Sequence, residues 1–512
     1  MTYIKNNLLF LVFLTFLYSY QNANHWNSLT SALNSYSIIE DSNGHIIGAT
    51  SGGLLKLSDS IEILKDNLID INTNVIGIDL KNNIWIGNNS PNSTIQVLDK
   101  NYNLIYSSIY SLQNLENILD FAFDSDKVFC IYKDLDGYGI LEFNYEDQTP
   151  FYLDYYNASD FPQDYNQITD IDIYQEYLYV TTDSGVFVAN FMQDNLNFGS
   201  SWTKIPFDVF IGDQVIKYLH RVENGFYILT VNELFFCSLD FITESLIVFD
   251  SEPSDIKPND FELFLCSQYD CYKLLNSNIE NIYSNDRLFL INDFQINQNM
   301  LSIAIKNGGI SKINLNDRTT DFYIPNTLLE NSYEAITLLD DGSLAGVNKK
   351  HLFIMKNDTF YFYINEANID NYPLSVLSNN EYFNFTILDY KVSDKMIWSL
   401  VQNSIGNLMF NNSGIKPNLL NKMASVIEVD ITNNEYFLYD TSKTEFMKNT
   451  NYPYGTFDGL YGVSNEDVLD SYMVTHQIKK DNLGNVWVVN PYSEKFNHPL
   501  SVQIGNNNQH WM

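Results

Sequence analysis

Apolar and polar residues alternate in short runs along most of the chain, and each run stops at a cluster of Asn, Asp, Gly or Ser. Leu178-YVTT and Phe226-YILTV are representative. Alternation with period two is the pattern of a half-buried strand, and β-branched and aromatic side chains suit a pleated surface. The small polar clusters between runs predict hairpin turns. Helical periodicity is weak beyond the first 23 residues, so helix is expected to be a minor component.

The hairpins repeat. The clearest copies read Asp79-LKNNIWIGNN and Asp481-NLGNVWVVNP: an acidic residue, a short Asn/Gly turn, then a strand centred on Trp85 or Trp487. With the Trp85 position as phase marker, eleven copies can be placed, at Ile47, Trp85, Phe129, Tyr179, Tyr227, Phe264, Ser302, Ala345, Trp398, Phe437 and Trp487. Their spacing runs from 37 to 53 residues with a mean of 44. A following strand often opens on glycine, as at Gly53, Gly139, Gly185 and Gly309, where a turn can require positive φ. A repeat of this length with two clear strands and room for two more predicts a propeller blade. The expected fold is all-β, a seven-bladed ring followed by a second, incomplete propeller. The division places propeller 1 at residues 24–320 and partial propeller 2 at 321–512, with Asn316-DRTTDFYIPNTLLEN carrying the chain across. A six-plus-five division is the alternative.

The phrases Ile38-IEDSNGHIIGATSGGLLKL, Val75-IGIDLKNNIWIG and Ile478-KKDNLGNVWVVN resemble the two-component regulator propeller repeat. The arrangement as a whole resembles the tandem propellers of PorZ-like proteins of the type IX secretion system. That resemblance implies a non-enzymatic platform at the periplasm or cell surface, serving secretion or envelope assembly through a protein, glycan or lipopolysaccharide ligand. The alternative it brings is the periplasmic ectodomain of a two-component sensor. No family site residue has a portable motif, so no binding residue is carried over.

Composition narrows the chemistry. Lys and Arg total 28 against 63 Asp and Glu, a formal charge of −35, which repels phosphate backbones and makes nucleic acid an excluded partner. Residues 1–23 read as a secretory signal: Lys5 precedes the apolar run Leu8 to Tyr18, too short to span a bilayer, and the polar stretch Ser19 to Ala23 follows. No later run is long and apolar enough for an integral membrane segment. An exported chain permits a Cys266–Cys271 disulfide across a hairpin, against the alternative of a local pair of thiols; Cys130 and Cys237 stand alone.

Catalysis finds little to work with. The three arginines, Arg221, Arg287 and Arg318, are dispersed, and there is no Gly-x-Ser-x-Gly elbow, P-loop or dinucleotide fingerprint. A polysaccharide-acting propeller enzyme is the remaining catalytic alternative. The seven histidines, His220 and His351 among them, lack metal-ligand spacing, and Asp134-LDGYG reads as a hairpin turn before it reads as half a calcium loop. Trp85, Trp398 and Trp487 are expected to pack between blades rather than stack on sugars. Tyr152 to Tyr156 and Phe360 to Tyr363 are expected to be strand packing, with ligand contact as the alternative. No catalytic residue or cofactor is expected, and metal and binding residues are left unassigned.

Overall fold

The computed structural model describes residues 28–89, 93–108, 114–212, 214–259, 262–275, 278–285, 289–365, 384–388, 397–411, 426–439, 477–489, 500–504 and 509–511. The expected signal segment lies outside them, as does Arg287. Ten sheets follow one another along the described chain, each built of strands hydrogen-bonded in sequence order. Nine have four antiparallel strands. The eighth gains a fifth, Asn384–Leu388, paired parallel to Thr359–Asn365. Helix among the described residues amounts to Asp208–Ile211 and two single 3₁₀ turns. This is the all-β propeller architecture that the alternation predicts.

The first strands of the first seven sheets are Ser35–Glu40, Thr73–Ile78, Leu115–Phe123, Ile168–Tyr174, Ile216–Val222, Pro253–Asn259 and Ile291–Asn297. Each packs on the next, and Ile291–Asn297 packs back on Ser35–Glu40. That last contact is bonded as well as packed. The Ile38 amide donates to Asp293 Oδ2 at 2.7 Å, and the Gly309 amide donates to the Leu33 carbonyl at 2.7 Å. Ile38, Ile46, Leu55 and Leu57 of the first sheet share one apolar cluster with Ala304 and Ile310 of the seventh.

The phase markers show what holds neighbouring sheets together. Ile47, Trp85, Phe129, Tyr179, Tyr227, Phe264, Ser302, Ala345 and Trp487 all lie in the second strand of their sheets. In the first seven sheets the large ones point at the following sheet. Trp85 is fully buried and meets Phe121 and Phe143 edge-on, with centroids 6.0 and 5.2 Å away. Phe129 clusters with Ile171 and Leu178, and Phe264 with Phe294. Burying a ring of that size stabilises by about 1.5–3 kcal/mol, so the inter-sheet seams carry much of the fold's stability.

Two markers are corrected. Trp398 precedes the first strand of the ninth sheet, Leu400–Gln402, and is 51% exposed; Phe437 lies in that sheet's last strand, Glu435–Tyr439. The two copies are one sheet, so eleven hairpin copies reduce to ten sheets. The residue in phase is Met409, fully buried in Leu408–Asn411. Methionine fits the apolar slot without the aromatic signature, which is why the pattern was misplaced there. The expected carry-over segment is also shorter than the sequence suggests. Thr320–Tyr323 is still the last strand of the seventh sheet, and only the stretch after it leaves.

That stretch is tied to the residues just before the first sheet. The Ser31 amide donates to Asn331 Oδ1, Ser31 Oγ to the Leu329 carbonyl at 3.2 Å, and the Ala32 amide to Thr327 Oγ1 at 3.2 Å. A single core then joins Leu33, Phe289, Ile324 and Leu328 to Phe353, Phe360 and Phe362 of the eighth sheet. Beyond it, Ala335–Leu338, Leu400–Gln402 and Gln477–Lys480, the first strands of the last three sheets, pack one on the next.

Candidate functional site

The acidic residue that opens the repeat works as a turn organiser. Asp79 Oδ1 accepts the amides of Lys81 and Asn83, both at 2.8 Å, while Oδ2 accepts Asn83 Nδ2 at 3.0 Å and Trp85 Nε1 at 2.9 Å. Asp481 repeats the network with Leu483, Asn485 and Trp487, its Oδ2 accepting Trp487 Nε1 at 2.9 Å. Those bonds hold the Asp481 carboxyl down at about 2. Asp79 Oδ2 in addition accepts the Tyr145 hydroxyl from the third sheet, whereas Asp481 is spent on its own turn. So is Asp134, whose Oδ1 accepts the amides of Asp136 and Gly137 at 2.8 and 3.0 Å. The segment is a hairpin turn between Lys127–Asp134 and Tyr138–Glu146.

The first strands of the first seven sheets gather a different set of acids. Asp120, Asp170, Asp255 and Asp293 come from the third, fourth, sixth and seventh sheets, with Tyr218 from the fifth. Lys257 Nζ pairs with Asp293 Oδ1 at 2.6 Å and Asp255 Oδ2 at 3.3 Å. The Asp255 and Lys257 side chains keep 22% and 24% exposure although protein surrounds them, as expected of groups lining the narrow centre of a ring. Burial pushes Asp120 up to about 7; its bond from the Phe121 amide and the Lys257 charge oppose the rise, and Asp255 and Asp293 add to it. Burial also raises Asp255, to about 6, against the pull of Lys257. Asp170 rises well above the carboxylate range through burial and then through the Asp120 charge. Burial alone would lower Lys257, but Asp293 and Asp255 more than offset it and hold the ammonium firmly charged. Two of these acids also join sheets: Asp170 accepts the Leu219 amide at 2.7 Å, as Asp293 accepts that of Ile38. Burial is the leading cause of all three rises, and the neighbouring acids add to it, which an acidic count alone does not reveal.

A second feature lies where the seventh sheet meets the first. A groove of about 390 Å³ is lined by Glu40, Gly44 and Ile46 on one side and by Asn297–Asn299, Met300, Ser302, Lys312, Asn314 and Asn316 on the other. A shallower groove of about 530 Å³ follows the parallel pair of the eighth sheet, with Tyr361, Tyr363, Asn384 and Thr386 among its lining.

The residues singled out from sequence are dispersed. Arg221 stacks on Tyr174 and Phe226 and donates to the Gly225 carbonyl at 2.9 Å, whereas Arg318 pairs with Glu280 at 2.9 Å. His351 is fully buried beside Tyr333 Oη at 2.7 Å, and burial lowers it to about 3. His220 lies 3.4 Å from Asp172. Trp487 is 37% exposed, unlike Trp85. Within Tyr152 to Tyr156, Tyr156 is buried against Glu142 while Tyr155 is 48% exposed; within Phe360 to Tyr363, only Tyr361 is exposed. Cys266 and Cys271, directly opposed in a hairpin, form a disulfide, and Cys130 and Cys237 are buried free thiols. Among the described residues no three His, Cys, Asp or Glu side chains converge as a metal site, and no helix is long and apolar enough to cross a membrane. Sequence reasoning missed the central acids and the seam groove. Aspartates in alternating strands look like any solvent-facing position until the ring closes.

No family model and no curated protein sequence matches the chain. Solved structures do. PorZ, described as an essential bacterial surface component of the type-IX secretion system of Porphyromonas gingivalis, aligns over 93% of this chain with a TM-score of 0.59 and 12% identity. The fold is similar to that of PorZ. The chain spans 65% of PorZ's length. The extracellular domain of the hybrid two-component system protein BT4673 from B. thetaiotaomicron aligns over 94% of this chain and 65% of its own, with 13% identity and a TM-score of 0.42.

Proposed function

We propose that the chain is an exported, non-enzymatic propeller platform of the PorZ kind, acting in type IX secretion or envelope assembly by holding a protein or glycan partner. The observation that carries the reading is the likeness of fold to PorZ along 93% of the chain. The chemistry of the described residues supports it. Carboxylates are committed to turns and sheet joints, and the two arginines described sit against separate partners. We further infer that residues 35–323 form one seven-bladed ring and that the last three sheets belong to a second propeller.

Deleting the gene in its source bacterium tests the platform. Cargo of the type IX route is expected to lose its cell-surface attachment, read as the ratio of medium to cell-bound cargo on immunoblots. Unchanged attachment overturns the secretion role. The sensor reading rests on the repeat phrases around Trp85 and Trp487. Reading the gene beyond codon 512 discriminates it, since a membrane helix followed by kinase-like sequence would establish a sensor.

A further inference from the structure

The groove between the seventh and first sheets has a local cause. At the other seams of the first ring the marker side chain fills the space to the following sheet: Ile47, Trp85, Phe129, Tyr179, Tyr227 and Phe264 all belong to apolar clusters or their margins there. In the seventh sheet the marker is Ser302, and the residue paired with it across the hairpin is Lys312. A small hydroxyl side chain stands there in place of a large apolar one, and that is where the groove of about 390 Å³ opens. Its volume falls in the range of small-molecule sites, about 300–1,000 Å³.

The lining specifies a chemistry. Among the described residues, the amide heads of Gln298, Asn299 and Asn316 have no hydrogen-bond partner, and the Lys312 ammonium has no ion pair; its contact is the Tyr323 ring at 6.0 Å. A primary amide offers donors and an acceptor side by side, the complement of adjacent sugar hydroxyls, which also donate and accept. Met300, 37% exposed, supplies apolar surface for the C–H face of a sugar ring. An anionic ligand is disfavoured by Glu40 in the same wall and by the charge of −35. A metal ion is disfavoured because Glu40 is the single carboxylate there and already accepts from Asn297 Nδ2. We propose that this seam groove binds a neutral sugar unit of a glycan. The proposal rests on the glycan-holding side of the platform reading and gives it a place.

The test uses the purified full chain, titrated with N-acetylglucosamine, galactose and mannose by saturation-transfer NMR and calorimetry. At least one of these sugars is expected to bind. Two variants are expected to weaken that binding tenfold or more: Ser302→Phe, which restores the ring found at Phe129 and Phe264, and Asn299→Ala with Asn316→Ala, which removes exposed amides without touching the core. Absence of binding by all three sugars at 10-millimolar order overturns the assignment. So does binding that both variants leave unchanged, or binding confined to an anionic probe, galacturonic acid. Cargo attachment in the deletion strain is scored separately. Sugar binding that is abolished by the variants, together with normal attachment in the deletion strain, supports the groove and overturns the secretion role alone.

Discussion

Asp120 shows how position changes a side chain's chemistry. An unfolded aspartate ionises near 3.9, whereas Asp120 in the folded ring holds its proton up to about 7. Between those values the folded state carries a proton that the unfolded chain has released, so this group makes stability fall as pH rises from about 4 to about 7. Above that window the cost is constant. Asp120→Asn removes it while keeping an acceptor for the Phe121 amide. The variant is therefore expected to gain stability over the parent as pH is raised, by a few degrees in Tm between pH 5 and pH 8, since about 1 kcal/mol corresponds to about 2–4 °C in a large domain. Thermal melts at the two pH values check it, and a difference that does not change with pH contradicts it. None of this was legible in the sequence, where Asp120 ends the unremarked run Leu115-ENILD. Asp79 was the opposite case. Its distance from Asn83 and Trp85 is local, so the turn it organises could be read directly from spacing.

Hairpins were the most legible elements, because a hairpin is decided by neighbours in sequence. Alternation and turn residues together place nine of the ten second strands through their markers. The ninth sheet failed because Met409 lacks an aromatic signature and Trp398, which has one, sits outside the strand. The fifth strand of the eighth sheet was invisible for another reason: parallel pairing of Asn384–Leu388 with Thr359–Asn365 depends on a tertiary return that no local pattern encodes. The Cys266–Cys271 hairpin is where local spacing allowed a bond without deciding it. Alkylation of the native protein is expected to label none of the four cysteines. After unfolding without reductant, Cys130 and Cys237 should be labelled and Cys266 and Cys271 should not, as mass spectrometry of the tryptic peptides would show. Labelling of all four after such unfolding would mean that the bond is absent. Closing so short a loop adds about 2 kcal/mol in the chain-entropy view.

For the molecule as a whole, the tie between Ser31 and the Leu329–Asn331 stretch decides where a self-sufficient unit ends. Residues 28–334 contain every first strand from Ser35–Glu40 to Ile291–Asn297 together with that tie. Expressed alone, this fragment is expected to unfold in one cooperative transition, monitored by circular dichroism. Its Tm should be below that of the full chain, because Phe289, Ile324 and Leu328 lose the cover of Phe353, Phe360 and Phe362. A fragment ending at 320 cuts the strand Thr320–Tyr323 after its first residue and omits the tie, and should be much less stable. A non-cooperative melt of the longer fragment would show that the unit is larger than the seven sheets.

Closure also sets a timetable. The Ile38 amide meets Asp293 across a separation of 255 residues, and the apolar face formed by Ile38, Ile46, Leu55 and Leu57 waits for Ala304 and Ile310. At about 5–20 residues per second of synthesis, the first sheet is on the order of tens of seconds old before its partner exists. Through that interval its greasy side is bare and its neighbours are stacking in a growing open arc, a state that invites aggregation. The clasp between the first and seventh sheets is therefore the step that ends this exposure, because it covers the open faces at both ends of the arc at once.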